Sequence, residues 1–355
     1  MPSQQDLLQA KQTLSGSLLR AGLRGGVVGM AVAMTVERVI ASAGRNVHAV
    51  GIGRKIVDGK ATKDQCVRVY VIQKVAESLL PPIYRIPGSV DGIPTDVIES
   101  PPAFLTAKRK PKPQAVAAAP ACSTNRQKRQ RPIVAGISTG HFQITAGTLG
   151  YFCRSTESGD NSDDVFVLSN NHVYANVNQG QPGDDLYQPG PADGGTPADT
   201  IAELTRFVTI QLGGVAPNRV DCAIGRLRPD VTRRVEVCSI GRITGVAVAT
   251  EGMQVRKHGR TSAYTEGEVT DASYDALVGM DHNNPNIVAL FQNQMRIERI
   301  APFAAFGLGG DSGSLVVAKE ELHAVGLYFA GPPAGDYGIA NHIQDVLTEL
   351  HVQLL

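Results

Sequence analysis

Gly309-Gly310-Asp311-Ser312-Gly313-Ser314, set between Phe306 and the apolar run Leu315-Val316-Val317, decides how this 355-residue chain is read. Glycines on both sides of a serine permit a tight turn that exposes the hydroxyl. They also let backbone N–H groups aim at one point, as an oxyanion hole requires. A glycine-rich turn with one serine is common, so the reading depends on what accompanies it.

Two companions stand upstream. In Val167-Leu168-Ser169-Asn170-Asn171-His172-Val173 a histidine follows an apolar strand pattern. In Arg219-Val220-Asp221-Cys222-Ala223-Ile224 an aspartate lies inside one. A carboxylate there is costly to bury without a partner, and a histidine N–H is such a partner. A rival acid, Asp199, sits among the polar residues Pro197-Ala198-Asp199-Thr200, only 27 positions after the histidine, so Asp221 is the better match. The run holding Asp184, Asp185 and Asp193 lacks the alternate-position ligands of a calcium loop and reads as turn chemistry.

The order His172, Asp221, Ser312, with separations of 49 and 91, matches one of the known triad orders, whose separations are about 45 and about 93. The alternative orders and the Gly-x-Ser-x-Gly elbow do not fit, since position 314 is serine. Residues 133–350 resemble the chymotrypsin-like (trypsin-like) serine peptidases. Leu168–Val173, Gly183–Gly195 and Gly310–Val317 look most like the narrow-leaf group of plant proteases and their bacterial relatives. The resemblance implies a chymotrypsin-like double β-barrel with Ser312 as nucleophile, His172 as general base and Asp221 as its orienter. The N–H groups of Gly310 and Ser312 would hold the oxyanion, and Gly326–Ala330 would pair with substrate. It places Phe306, six residues before the nucleophile, at the base of the first specificity pocket. With Gly326, Leu327, Tyr328 and Phe329 nearby, an apolar or small residue is expected before the scissile bond. Asn170-Asn171 departs from the small pair usual before this histidine, and Val173 stands where many secreted relatives carry a cysteine. Ile133-Val134 raises one more possibility, that chain cleavage frees an amine to pair with Asp311. Pro132 and Ala135 speak against it.

Outward from these motifs, 133–330 alternates short apolar runs with Gly, Asn and Asp clusters, as an all-β body does. Residues 339–350 return to helical spacing through Ile343, Val346, Leu347 and Leu350. The expected fold is mainly β, a double barrel preceded by a small α+β domain. An N-terminal helical segment occupies 1–44, opened by Ser3-x-x-Asp6 as a capping box. The α+β domain follows over 45–105, with Asp58-Gly59 as a turn signal, then a basic, Pro/Ala-rich tether over 106–132, then the peptidase domain over 133–355. Arg256, Lys257, His258 and Arg260 read as a solvated basic face.

Hydrophobic residues make up 42% of the chain and the net charge is +1, which excludes a wholly disordered chain and a nucleic-acid clamp. The longest apolar run, Gly25–Val36, is too short to span a membrane and reads as a buried helix. Cys66, Cys122, Cys153, Cys222 and Cys238 show no zinc spacing. They are expected as buried thiols in a cytoplasmic protein. No metal or organic cofactor is expected. The expectation is a serine endopeptidase acting on protein or peptide substrates, with an N-terminal domain that regulates it or selects substrate. A Leu-rich first helix is available for homo-oligomer contact. The alternative is a catalytically silent peptide-binding or scaffold protein on the same fold.

Overall fold

The computed structural model describes residues 2–21, 46–105, 125–281, 284 and 287–355, and Gly25–Val36, Cys122 and most of the basic tether lie outside them. The chain divides into two units. One comprises Met1–Phe104, Gln211–Asn218 and Thr270–Gln294; the other comprises Leu105–Ile210, Arg219–Val269 and Met295–Leu355.

In the first unit the capping box forms as expected. The Ser3 amide donates to Asp6 Oδ2 at 3.0 Å and the Asp6 amide donates to Ser3 Oγ at 3.1 Å. The helix Gln4–Ala21 that follows buries Leu7, Ala10, Leu14 and Leu19 against Val50, Val67 and Val69 of a hairpin. Its apolar face is thus packed within its own chain. The hairpin joins Val47–Val57 to Lys60–Val71 through Asp58-Gly59, both at positive φ (51° and 75°), the conformation a two-residue turn demands. Ile93–Glu99 adds a parallel strand beside Lys60–Val71.

Two later segments, Gln211–Asn218 and Thr270–Gln294, also belong to this unit, beyond the sequence division at 105/106. The strand Ala263–Gly279 runs for 17 residues, and its Asp275 and Ala276 register against Val50 and Ala49. Its return strand, Val288–Arg299, supplies Val288 and Leu290 to the same core. The unit also holds a buried ion pair, Lys11 Nζ to Asp275 Oδ1 at 2.6 Å, with Ser15 Oγ donating to the other carboxylate oxygen.

The second unit carries two antiparallel sheets. One runs through Tyr151–Ser155, Phe166–Ser169, Ala223–Leu227, Thr200–Phe207, Asp185–Tyr187 and Ser138–His141. The other takes Gln254–Gly259, Leu315–Ala318, His323–Gly331 and Tyr337–His342 in that order. This is the mainly β arrangement expected. The closing helix is shorter than its periodicity suggested: Ile343–Leu350 is helical, whereas Tyr337–His342 is a fully paired strand. Cys66, Cys153 and Cys222 are buried thiols, as expected, but Cys238 is disulfide-bonded, which corrects the all-thiol reading.

Asp271, in the first unit, is fully buried, and its Oδ1 accepts the Ser273 amide at 2.9 Å. The fit is so close that a Cβ on Gly51 would come within 1.6 Å of its Oδ2. Burial pushes this carboxyl up to about 7, only partly offset by the Ser273 and Ile52 amides and the Arg68 and Lys11 charges. The unfolded chain releases this proton near the ordinary carboxylate value, so between there and about pH 7 ionisation favours unfolding. Asp271→Asn is therefore expected to gain stability over the wild type as pH rises from 4 to 7. The gain should reach a plateau of about 4 kcal/mol above pH 7. Urea denaturation of both proteins across that range checks it; a difference independent of pH would refute the assignment.

Candidate active site

Strand pairing brings the first two residues together. Phe166–Ser169 and Ala223–Leu227 are antiparallel neighbours, with Ser169 opposite Ala223. The end of one strand therefore lies beside the start of the other. Asn171–Tyr174, a single helical turn, begins two residues after Ser169 and carries His172, while Asp221 sits two residues before Ala223. The His172 Nδ1 and Asp221 Oδ2 atoms are 2.5 Å apart, with side chains 1% and 0% exposed. The second carboxylate oxygen accepts the His172 amide at 3.2 Å.

The backbone of Asp221 is itself held. Its amide donates to Asn341 Oδ1 at 3.1 Å and its carbonyl accepts Asn170 Nδ2 at 2.7 Å. Asn171 Nδ2 donates to the Asn178 side chain and to the Val208 carbonyl. Of the two asparagines that depart from the usual pattern, Asn170 thus ties the histidine turn to the aspartate segment, and Asn171 ties it to Asn178 and Val208. Asp199, the rival acid, is instead a capping residue for Thr196 and pairs with exposed Arg129.

Ser312 arrives from the other sheet, in the turn before Leu315–Ala318. Its carbonyl accepts the Thr148 amide at 2.8 Å, and the next amide, Gly313, donates to the Tyr328 carbonyl at 2.8 Å. The turn needs its glycines. Gly310 and Gly313 have φ of 98° and 93°, and a Cβ on Gly313 would lie 2.1 Å from Ser169 Oγ. The amides of Asp311 and Ser314 close the turn on the carbonyls of Leu308 and Asp311, and the Gly310 amide takes no part in these bonds. Ser312 Oγ donates to the Phe329 carbonyl at 3.2 Å, while His172 Nε2 has no hydrogen-bond partner among the described residues.

Asp311, beside Ser312, is fully buried and accepts from four groups. The Thr261 and Ser262 amides reach Oδ1 at 2.8 and 3.0 Å, and the Leu308 amide and Lys257 Nζ reach Oδ2 at 2.8 and 3.2 Å. Burial would raise its pKa, but the Lys257 charge and the bonds from Ser262 and Leu308 hold the carboxyl below its ordinary range. Burial pulls the Lys257 ammonium down, and Asp311 opposes that pull. The ammonium also lies 5.6 Å from the Phe306 ring centre and 5.5 Å from that of Tyr328, and it donates to Ser262 Oγ at 2.8 Å.

Several sequence expectations are corrected by this geometry. Lys257 and His258 are fully buried and Arg260 is 8% exposed, so the basic run is no solvated face. His258 donates through Nδ1 to the Gly136 carbonyl at 2.9 Å and burial pushes it down to about 4, which leaves it neutral. Arg260 pairs with Asp193, so Asp193 is committed to an ion pair, and Asp184 accepts from His141. No group of metal-ligating side chains occurs among the described residues. Ile133 is a buried strand residue whose amide donates to the Thr232 carbonyl, and Asp311 is already paired, so a freed Ile133 amine has no role. Of the expected substrate strand, Gly326 and Leu327 register against Val316 and Leu315 on one side and His342 and Asn341 on the other. Tyr328 registers against Ala340 and meets the Ser314 and Gly313 backbone opposite. Both edges of these three residues are filled, so they do not offer the added-strand pairing that the resemblance implied. Phe306 and Tyr328 are fully buried and face Lys257. Sequence reading missed Lys257, although its place two residues after buried Val255 in a strand marks an inward-facing position.

Comparison with known proteins gives no matching family model and no matching curated protein. Among solved structures, the chain is similar to Thermobifida fusca Protease A, at 17% identity over 63% of this chain and 98% of that one, with a TM-score of 0.43. It is also similar to the Nocardiopsis protease NAPase (15% identity, 62% and 98% coverage, TM-score 0.43) and to Cellulomonas bogoriensis chymotrypsin (16% identity, 63% and 98% coverage, TM-score 0.41).

Removing one member of a buried ion pair strands the other. Lys257→Met is expected to cost about 3–5 kcal/mol of stability at pH 7, and Lys257→Met with Asp311→Asn to recover part of that loss. Chemical denaturation of the single and double variants measures both. Equal loss in the two would show that the pair is not coupled.

Proposed function

We propose that this chain is a serine endopeptidase that hydrolyses peptide bonds through an acyl-enzyme. The observation that carries the reading is the buried 2.5 Å contact between His172 Nδ1 and Asp221 Oδ2, on the same unit as a serine presented by a glycine turn. Asp221 accepts a hydrogen bond from Nδ1–H and thereby leaves the Nε2 lone pair to act as base. Nε2 has no other partner among the described residues. Rotation about the Ser312 side chain carries Oγ from the Phe329 carbonyl towards Nε2. Oγ then attacks the scissile carbonyl carbon as its proton passes to His172. The oxyanion falls to the Gly310 and Ser312 amides. His172 returns the proton to the leaving amine, and water repeats the sequence to release the acyl group.

The packing of Phe306 and Tyr328 against Lys257 favours the small end of the apolar-or-small range for the residue before the scissile bond. The affinity to the narrow-leaf proteases rests on the three sequence stretches that carry it. The first unit, with a core of its own, is proposed to select substrate or regulate the second. The silent-scaffold reading has one observation in its favour, the engagement of Ser312 Oγ with a carbonyl instead of His172.

A fluorophosphonate probe separates the two. Full-length wild type is expected to be labelled without prior chain cleavage. Ser312→Ala should abolish labelling and His172→Ala should slow it by about 10³-fold or more. A folded wild type that takes no label, or a Ser312→Ala variant that still does, would overturn the peptidase reading.

A further inference from the structure

We infer that Arg126 is a positioning residue for the turn that carries Ser312, acting through the two peptide groups that hold Asp311. The inference rests on the peptidase reading for its kinetic consequence, though its geometry stands alone. Arg126 Nε donates to the Arg260 carbonyl at 2.9 Å and its Nη2 donates to the Thr261 carbonyl at 3.1 Å. These carbonyls belong to the peptide groups whose N–H ends, on Thr261 and Ser262, reach Asp311 Oδ1 at 2.8 and 3.0 Å. A trans peptide is planar, with C=O and N–H pointing oppositely, so fixing the carbonyl fixes the direction of the amide. Two parallel peptide bridges therefore link one guanidinium to one carboxylate, and each bond polarises the next in a shielded setting.

The segment bearing Arg126 is seated rather than loose. The Arg126 carbonyl accepts the Ser138 amide at 2.7 Å. Gln188, fully buried, donates to the Lys128 carbonyl and accepts the Gln130 amide. Residues 125–131, read from sequence as the end of a basic tether, thus brace the loop that holds Asp311. The loop also touches the turn directly, since Thr261 Oγ1 donates to the Gly309 carbonyl at 2.6 Å. A Cβ on Gly310 would lie 2.6 Å from the same hydroxyl. A shift of this loop consequently moves the Gly310 amide, one of the two assigned to the oxyanion. Only a forked cation spans both carbonyls; a lysine reaches one.

The test compares wild type, Arg126→Ala, Arg126→Lys and Arg129→Ala, the last an exposed arginine of the same segment. Arg126→Ala is expected to lower kcat and the rate of fluorophosphonate labelling by about 10- to 100-fold with KM little changed, because the oxyanion amides act in the transition state. Arg126→Lys should restore part of the rate, free guanidinium ion should restore part of it to Arg126→Ala, and Arg129→Ala should match wild type. Wild-type kcat in a folded Arg126→Ala variant, or equal loss in Arg129→Ala, would overturn the inference. Amide hydrogen exchange of Thr261 and Ser262 provides a readout that needs no activity, and Arg126→Ala should speed it about tenfold or more. Failure of wild type to label would count against the peptidase reading alone, whereas unchanged exchange in Arg126→Ala would count against the brace.

Discussion

A carboxylate with no access to water sits one residue before Ser312, and much of the second unit is arranged to keep it charged. Asp311 takes three backbone amides and one ammonium. An uncompensated buried carboxylate would cost several kcal/mol or protonate. With Lys257 in place it stays ionised, and its bonds to Leu308, Thr261 and Ser262 define the curve of the chain from 308 to 314. The positive φ of Gly310 and Gly313 follows from that curve. The shape of the candidate oxyanion turn is therefore an electrostatic consequence of a group that does no chemistry.

The same pair explains why the aromatic residues stand where they do. Lys257 has one carboxylate and one hydroxyl for its ammonium, and the rings of Phe306 and Tyr328 cover the remainder. Glycines make room for them: a Cβ on Gly307 or Gly338 would come within 2.5 Å of the Tyr328 ring. Space that the resemblance assigned to a substrate side chain is thus filled by the housing of a lysine.

The sequence made the histidine–aspartate pair legible and left its supports hidden. His172 and Asp221 could be matched because order, spacing and flanking apolar runs are local signals, and strand pairing then brings the two together. The Ser3–Asp6 cap and the Asp58-Gly59 turn were legible for the same reason, since each depends on residues within three positions. Lys257 and Arg126 were misread because their partners lie 54 and more than 130 residues away. A short basic run looks alike whether it faces water or a buried acid. The contribution of 270–294 to the first unit was hidden because a 17-residue strand carries no mark where it passes from one core to another.

The resting position of Ser312 does not weigh equally for enzyme and scaffold. One hydrogen bond to the Phe329 carbonyl is worth about 1 kcal/mol net, a barrier that substrate contacts readily offset. His172 presents the opposite balance. Its Nδ1 is held at 2.5 Å by a fully buried aspartate, while Nε2 is buried with no partner among the described residues. Leaving such an atom unsatisfied costs about 1–3 kcal/mol. A scaffold gains nothing from that cost, and an apolar residue at 172 would remove it together with the need to bury Asp221. A general base uses that lone pair, first to accept a hydrogen bond from the serine hydroxyl and then to take its proton.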